Sequence, residues 1–448
     1  VAGGAVDDPA ARDRLAQLVA LRTPSGAALL AEAAAAYGTS GGSSSTAREL
    51  AVGARLRAEG VPAELVAAAF TQAELRRRAA AKFVLADRMF FTRAGLEQAS
   101  SQAAAEHRAS RFAGRARVAD LCSGIGGDAS ALGPGREILL VDRDPVHLRM
   151  AELNAGVHGA RTVRACLSDV RDVDLDGVDG VFVDPARRSG DRRLGSGACE
   201  PPLPWCFALT DRVGAVAVKA APGIDLGQVP AGWEVEFVAD GRDLKEAVLF
   251  SPELATSPRR ATVLRAPSRG ATPTAVPSTE AGRLGDEGVE PRGRAGAVSL
   301  VGSPDSTATE SPVRVGEPGR YLYDPNPAVT RAGLVGELAR QLDAWQLDPM
   351  IAFLTSDEAM ATPFARLLRV EAQQPFDVRR LAADLRARGI SALDIRRRGL
   401  AGDVDALRRR LLPRRRDLVP GGPAVTVVMT RLREEPWALI CVPESPPG

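Results

Sequence analysis

The stretch VADLCSGIGGDAS at residues 118–130 constrains this chain more than any other. An apolar run ends on an acidic residue, Asp120, and passes directly into a glycine-rich turn that opens a helix. Gly124, Gly126 and Gly127 carry no side chain, so the backbone can approach a ligand closely while N–H groups face its anionic part. The spacing is G-x-G-G, not the G-x-G-x-x-G of dinucleotide binders, and no Lys-Ser/Thr pair follows as in a phosphate loop. Around it, RVADLC, EILLVD, RTVRAC, GVFVD, AVAVKA, EVEFVA and AVLFS read as strands, with helices around 126–132, 144–157 and 203–212. Alternation of this kind predicts a parallel α/β sheet whose ligand sits at the carboxyl ends of the strands.

The rest of the 448 residues divides by pattern. Residues 1–112 are alanine-rich with apolar positions at helical spacing, which predicts an N-terminal helical domain. The stretch 72–112 concentrates Phe83, Met89, Phe90, Phe91 and Phe112, expected to serve helix packing more than substrate contact. Residues 113–264 form the α/β core. Residues 265–319 hold seven prolines, nine glycines and no aromatic, and are expected to be a disordered linker. Residues 320–448 resume order, with a helix near 328–342 and a β-α-β-α-β-β unit from LLRVEAQ to WALICVP.

A carboxylate at a strand end is poorly placed against a pyrophosphate and well placed for an ammonium. Asp142, ending ILLVD, stands where a carboxylate can accept both ribose hydroxyls, and Asp169, after CLSD, where one can accept from an adenine amino group. S-adenosylmethionine offers all of these groups, and the ordered set Asp120, Asp142 and Asp169 resembles the class I methyltransferases that use it. Cys122 and Gly127 in the turn and Arg143 beside Asp142 join Gly124 and Gly126 as candidate cofactor contacts. D-P-A-R at 184–187 resembles the D/N/S-P-P-aromatic loop of amino-directed methyltransferases, with Ala186 and Arg187 in place of the second proline and the aromatic. Asp184 and Pro185 would orient an exocyclic amine, and Arg187 and Arg188 would face a base or a phosphate. The three histidines do not pair with a nucleophile, and no cysteine has a Pro-Cys or Thr-Cys context, so attack on pyrimidine C5 is not expected.

LEQASSQAAAEHRASRF, DLCSGIGGDA, VDRDP, VDPARR and GRDLKEAVLF, followed by YDPNPAV and SALDIRRRGL, are similar to a bacterial group of class I methyltransferases with a C-terminal THUMP-like domain. Their core is similar to trimethylguanosine synthases. The resemblance implies a Rossmann-like core, an N-terminal helical domain, a C-terminal α+β (ferredoxin-like) THUMP-like domain, and an RNA partner such as rRNA or tRNA. Basic residues are 55 arginines and three lysines, a bias that weakens arginine counts as a nucleic-acid signal. Even so, residues 379–417 hold 13 arginines against five aspartates, a net +8 in a chain of net +2. Arg396, Arg397 and Arg398 are therefore candidate RNA contacts. Five scattered cysteines without a C-x-x-C pair give neither a disulfide framework nor a metal site, and no metal is expected. No long apolar run and no leader-like N-terminus point to a membrane or export, so a cytoplasmic location is the expectation. Other readings open at this point are a protein or small-molecule methyltransferase and a catalytically silent RNA-binding protein.

Overall fold

The structure is a computed structural model that describes residues 8–37, 43–186, 188–189, 192–193, 199–264, 296–302, 313–400, 402–412 and 418–444. The apolar runs in the middle of the chain become β1 (Arg117–Leu121), β2 (Glu137–Asp142), β3 (Thr162–Leu167) and β4 (Gly180–Val183). A short antiparallel pair follows, β5 (Arg188–Ser189) with β6 (Arg192–Arg193), and then β7 (Val216–Ala220). β7, β4, β1, β2 and β3 lie side by side in that order, each pairing parallel with the next. The strand order turns back between β1 and β4, which places a crevice outside their carboxyl ends. β4 and β7 are buried at every residue, as parallel strands covered on both faces must be.

Helices α1 (Pro9–Leu21), α2 (Pro24–Tyr37), α3 (Ser43–Ala58), α4 (Ala63–Ala79), α5 (Arg93–Gln98) and α6 (Gln102–Ala109) precede β1. α7 (Ala129–Leu132), α8 (Pro145–Val157) and α9 (Leu203–Ala208) connect the strands. α7 is shorter than the stretch expected, because residues 122–126 turn through positive φ at Cys122, Gly124 and Gly126. Asp144 caps α8 by accepting from Val146 N and His147 N, with Pro145 in the first turn, which explains the VDRDP motif. Val146 and Met150 of α8 share one core with Leu29, Ala69, Phe83 and Phe91. The N-terminal helices and the strands are thus one compact unit, residues up to Trp233 with Val248–Ala255, and the boundary expected at residue 112 does not divide it. The outer face of α8 is apolar and needs that cover. Phe83, Met89, Phe90, Phe91 and Phe112 are all buried, in agreement with packing.

The second unit holds Glu234–Ala247 and the described residues from Thr256 onward. It contains β8 (Glu234–Asp240), the first part of β9 (Asp243–Phe250), β10 (Arg259–Leu264) and β11 (Ala297–Gly302). β11 corrects the linker expectation: it pairs antiparallel with β10, and Leu300 is 1% exposed. A six-residue run, AVSLVG, is diluted when composition is averaged over a Pro/Gly-rich stretch. Residues 265–295 and 303–312 of the expected linker lie outside the described residues.

Beyond it come β12 (Tyr321–Pro325), α10 (Pro327–Ala332), α11 (Val335–Gln341), β13 (Trp345–Asp348), β14 (Ile351–Ser356) and β15 (Ala365–Pro375). α12 (Val378–Ala387), β16 (Ala392–Arg397), α13 (Val404–Leu411), β17 (Ala424–Leu432) and β18 (Glu435–Pro443) complete it. The helix expected near 328–342 is two, separated at Gly333, which takes a left-handed φ of 74°. Seven strands form one sheet in the order β13-β14-β12-β15-β18-β17-β16. The β-α-β-α-β-β order is present from β15 to β18. Its second helix lies inside a parallel β16-α13-β17 crossover, one connection away from the β-α-β-β-α-β of a ferredoxin-like unit. Val425, Val427 and Ile440 pack with Leu381, Leu385, Leu407 and Leu411 on one face, while Val428, Leu439 and Cys441 pack with Phe353 and Leu368 on the other. Among the described residues no helix is long and apolar enough to cross a membrane.

Candidate functional site

The glycine-rich turn is held from two sides. Gly124 N donates to Asp142 Oδ2 at 2.8 Å, and Ser123 N to the Val141 carbonyl at 3.1 Å, which fixes the turn to the end of β2. From the other side Asn154 of α8, fully buried, donates from Nδ2 to the Ile125 carbonyl (2.8 Å) and the Phe90 carbonyl (2.9 Å). Its Oδ1 accepts from Phe90 N at 2.9 Å. The three glycines differ in what they permit. A Cβ on Gly124 would meet no atom within 4 Å, leaving that position open to a ligand. One on Gly126 would lie 2.8 Å from Ala151 Cα, and one on Gly127 3.2 Å from Ala99 Cβ. Gly126 and Gly127 therefore let the turn nest against protein.

Asp120 lies near the carboxylates at the ends of two neighbouring strands, Asp142 and Asp184. Asp120 is 1% exposed, and its Oδ2 and the Ser123 Oγ are buried with no hydrogen-bond partner. Burial pushes the Asp120 carboxyl well above the usual range, helped by Asp128, Asp184 and Asp142 and opposed by Arg108. Burial likewise raises the Cys122 thiol, and Asp142 and Asp184 add to it, which disfavours the thiolate. Beneath the turn the buried Arg108 guanidinium holds Asp128, Nε to Oδ1 3.0 Å, and lies over the Phe182 ring. Asp169 lies just beyond β3. Its carboxylate takes Arg171 N (2.9 Å) and pairs with Arg171 (3.3 Å) and Arg143 (3.4 Å), which ties the two strand ends together.

Asp184 follows β4, its N bonded to the Leu121 carbonyl at 3.2 Å. Its Oδ2 accepts from Lys219 Nζ at 2.5 Å, and Lys219, near the carboxyl end of β7, is 8% exposed. Lys219 is a site residue that the motifs above do not include. A signal for it exists in AVAVKA, a buried strand ending on a charge, the same rule that picks out Asp120 and Asp142. Pro185 is buried. Ala186 and Glu200 exchange backbone hydrogen bonds (2.8 and 2.9 Å) and close the base of the loop. Arg187 and the Arg188 side chain lie outside the described residues.

Arg396, Arg397 and Arg398, expected to meet a polyanion, are engaged within the second unit. Arg396 Nε lies 3.0 Å from Asp394 Oδ2, Arg397 donates to the Gly402 carbonyl, and Arg398 Nη2 lies 3.1 Å from Asp324 Oδ1. Arg408, Arg409 and Arg410 on α13 are exposed.

Known proteins resemble the chain both in sequence and in fold. Residues 365–443 match the family described as THUMP domain-like, and residues 13–79 a family described as a domain of unknown function. Two uncharacterized S-adenosylmethionine-dependent methyltransferases of Mycobacterium tuberculosis, from strains CDC 1551 / Oshkosh and ATCC 25618 / H37Rv, are each 36% identical over 377 residues, covering 80% of this chain and 90% of the relative. A crystal structure of a Porphyromonas gingivalis W83 protein assigned as a methyltransferase superposes with a TM-score of 0.66 at 21% identity, covering 86% of this chain and 92% of that one, a likeness of fold.

Proposed function

Since the chain belongs to the S-adenosylmethionine-dependent methyltransferases, we propose that it methylates RNA on a base nitrogen, an exocyclic amine held by Asp184 and Pro185. The turn fits this cofactor on its own chemistry. Asp120 offers a buried carboxylate oxygen without a partner, as a cationic ligand group requires, and Gly124 leaves the space beside it clear. Asp120 would take the cofactor's ammonium, Asp142 the ribose hydroxyls and Asp169 the adenine end, with Cys122, Gly124 and Arg143 around them. Bound there, S-adenosylmethionine supplies a methyl group on a sulfonium, an electrophile that asks the protein mainly for alignment.

The observation that carries the acceptor reading is the Asp184–Lys219 pair at the ends of adjacent parallel strands. Lys219 occupies Oδ2 and fixes the carboxylate, so that Oδ1 can accept an amine N–H and aim the nitrogen lone pair along the in-line path. RNA as substrate is supported by the THUMP domain-like match and by the arginine density of residues 379–417.

The test is transfer of tritiated methyl from S-adenosylmethionine to total RNA, with RNase and protease controls. RNase-sensitive label is expected, lost on Asp184→Ala and reduced about 100-fold or more on Lys219→Met, while cofactor affinity stays within about threefold. Protease-sensitive label, or transfer to small molecules alone, would overturn the RNA reading. Absence of any transfer beside intact RNA binding would favour a silent RNA-binding protein.

A further inference from the structure

The second unit contains a recess of about 610 Å³, lined by Asp240, Gly241, Arg242, Val263, Leu264, Asn326, Ala361–Pro363, Ala365 and Arg366. Its construction explains two motifs that methyl transfer leaves unused, YDPNPAV and SALDIRRRGL. Asp324 of the first accepts from Arg242 (Nη2 to Oδ2, 2.7 Å) and from Arg398 (3.1 Å). Asn326 donates to the Gly241 carbonyl at 2.7 Å and accepts from Ala328 N at 3.0 Å, so it fixes the β8–β9 turn that carries Arg242. Asp394 of the second motif is likewise shared by two guanidinium groups, Arg366 (2.9 Å) and Arg396 (3.0 Å).

Each aspartate thus serves two arginines, so four cations share these two carboxylates, and the exposed Asp240 also lines the recess. Arg242 and Arg366 keep 35% and 29% of their side-chain surface open beside the recess. Arg242 is pulled below its ordinary pKa, first by burial and then by Arg396, Arg366 and Arg398, against the pull of Asp324. A partly buried guanidinium crowded by three others is relieved by an anion. A planar fork favours phosphate oxygens, and Val263, Leu264, Pro363 and Ala365 give the same recess apolar lining.

We propose that this recess binds a nucleotide, its phosphate on Arg242 and Arg366 and its sugar and base against the apolar residues that line it. The volume lies in the ordinary range for small-molecule sites, about 300–1,000 Å³. No recess residue belongs to the cofactor turn, so the assignment goes beyond the methyl-transfer reading and stands or falls separately from it.

Equilibrium binding of inorganic phosphate, of the four ribonucleoside monophosphates and of a 5′-phosphorylated ten-nucleotide RNA to the full chain tests it. Saturable nucleotide binding competed by phosphate is expected, weakened about tenfold or more by Arg366→Met. Ala361→Trp, which fills the mouth without touching an ion pair, should weaken it as much, and Arg433→Gln, an exposed arginine of the same unit, should not. Tighter binding of the RNA assigns the site to a strand end, and equal or weaker binding assigns it to a free nucleotide. No saturable binding below about 10 mM, or binding indifferent to Ala361→Trp in a protein with wild-type melting, overturns the proposal.

Discussion

Asp120 weakens the fold at the place where the cofactor is proposed to bind. A carboxyl whose pKa folding raises favours the folded state only while protonated. That contribution is complete below the unfolded value near ~3.9 and is lost as pH rises through the folded one. Cofactor-free protein should therefore lose stability as pH rises through the raised pKa of Asp120. Asp120→Asn should flatten that decline and raise the melting temperature at pH 8 by a few degrees, roughly 1–2 kcal/mol. The same variant should bind S-adenosylmethionine about 10- to 100-fold more weakly, read by calorimetry. An unchanged affinity would remove Asp120 from the site. The glycines separate in the same way. Gly126→Ala drives a methyl into Ala151 backbone and should lower the unfolding free energy by about 1–3 kcal/mol. Gly124→Ala costs about 1 kcal/mol for its positive φ, and its main deficit should appear in cofactor affinity, because the new methyl points where no protein atom stands.

Among the elements, β11 is the instructive one. Leu300→Ala should cost about 2–5 kcal/mol in urea unfolding, since Leu300 is buried where β11 pairs with β10. A cost below about 0.5 kcal/mol, the usual surface range, would show that the strand contributes no packing. The inner parallel strands β2 and β4 are legible in the sequence because a strand covered on both faces reads as a near-continuous apolar run, and the acids at their ends stand out for the same reason. β11 is not, because six residues, AVSLVG, carry little weight inside a proline- and glycine-rich stretch. Lys219 escapes a strand-end rule confined to acids. Glycine spacing shows that the turn needs close approach but not to what, and Gly126 and Gly127 answer with Ala151 and Ala99. The arginines of SALDIRRRGL look free in sequence because Asp324, the partner of Arg398, stands 74 residues earlier.

For the whole molecule, that pairing redistributes the expected RNA contacts. Neutralising Arg409 and Arg410, exposed on α13, should flatten the dependence of log RNA affinity on log salt by about 0.7–0.9 for each phosphate that they neutralise. Arg398→Met should instead destabilise by about 1–2 kcal/mol, because it strips one of the two guanidinium partners of the buried Asp324 and leaves Arg242 on the other oxygen. If Arg398→Met changes the salt slope and not the stability, its place among the ion pairs is incidental. The route of the chain has a further consequence, for synthesis. It leaves the first unit after Trp233, returns for Val248–Ala255 and departs again. Val248–Phe250 flank β7, and Val216 bonds to Ser251 through N–H to Oγ (2.9 Å) and through its carbonyl to Ser251 N (2.8 Å). A growing chain at about 5–20 residues per second therefore spends roughly 1–4 s between Trp233 and Ala255 with the edge of β7 unpaired. A ribosome stalled in that interval would display an apolar strand edge, the kind of surface that holdase chaperones bind and that seeds aggregation when they are absent.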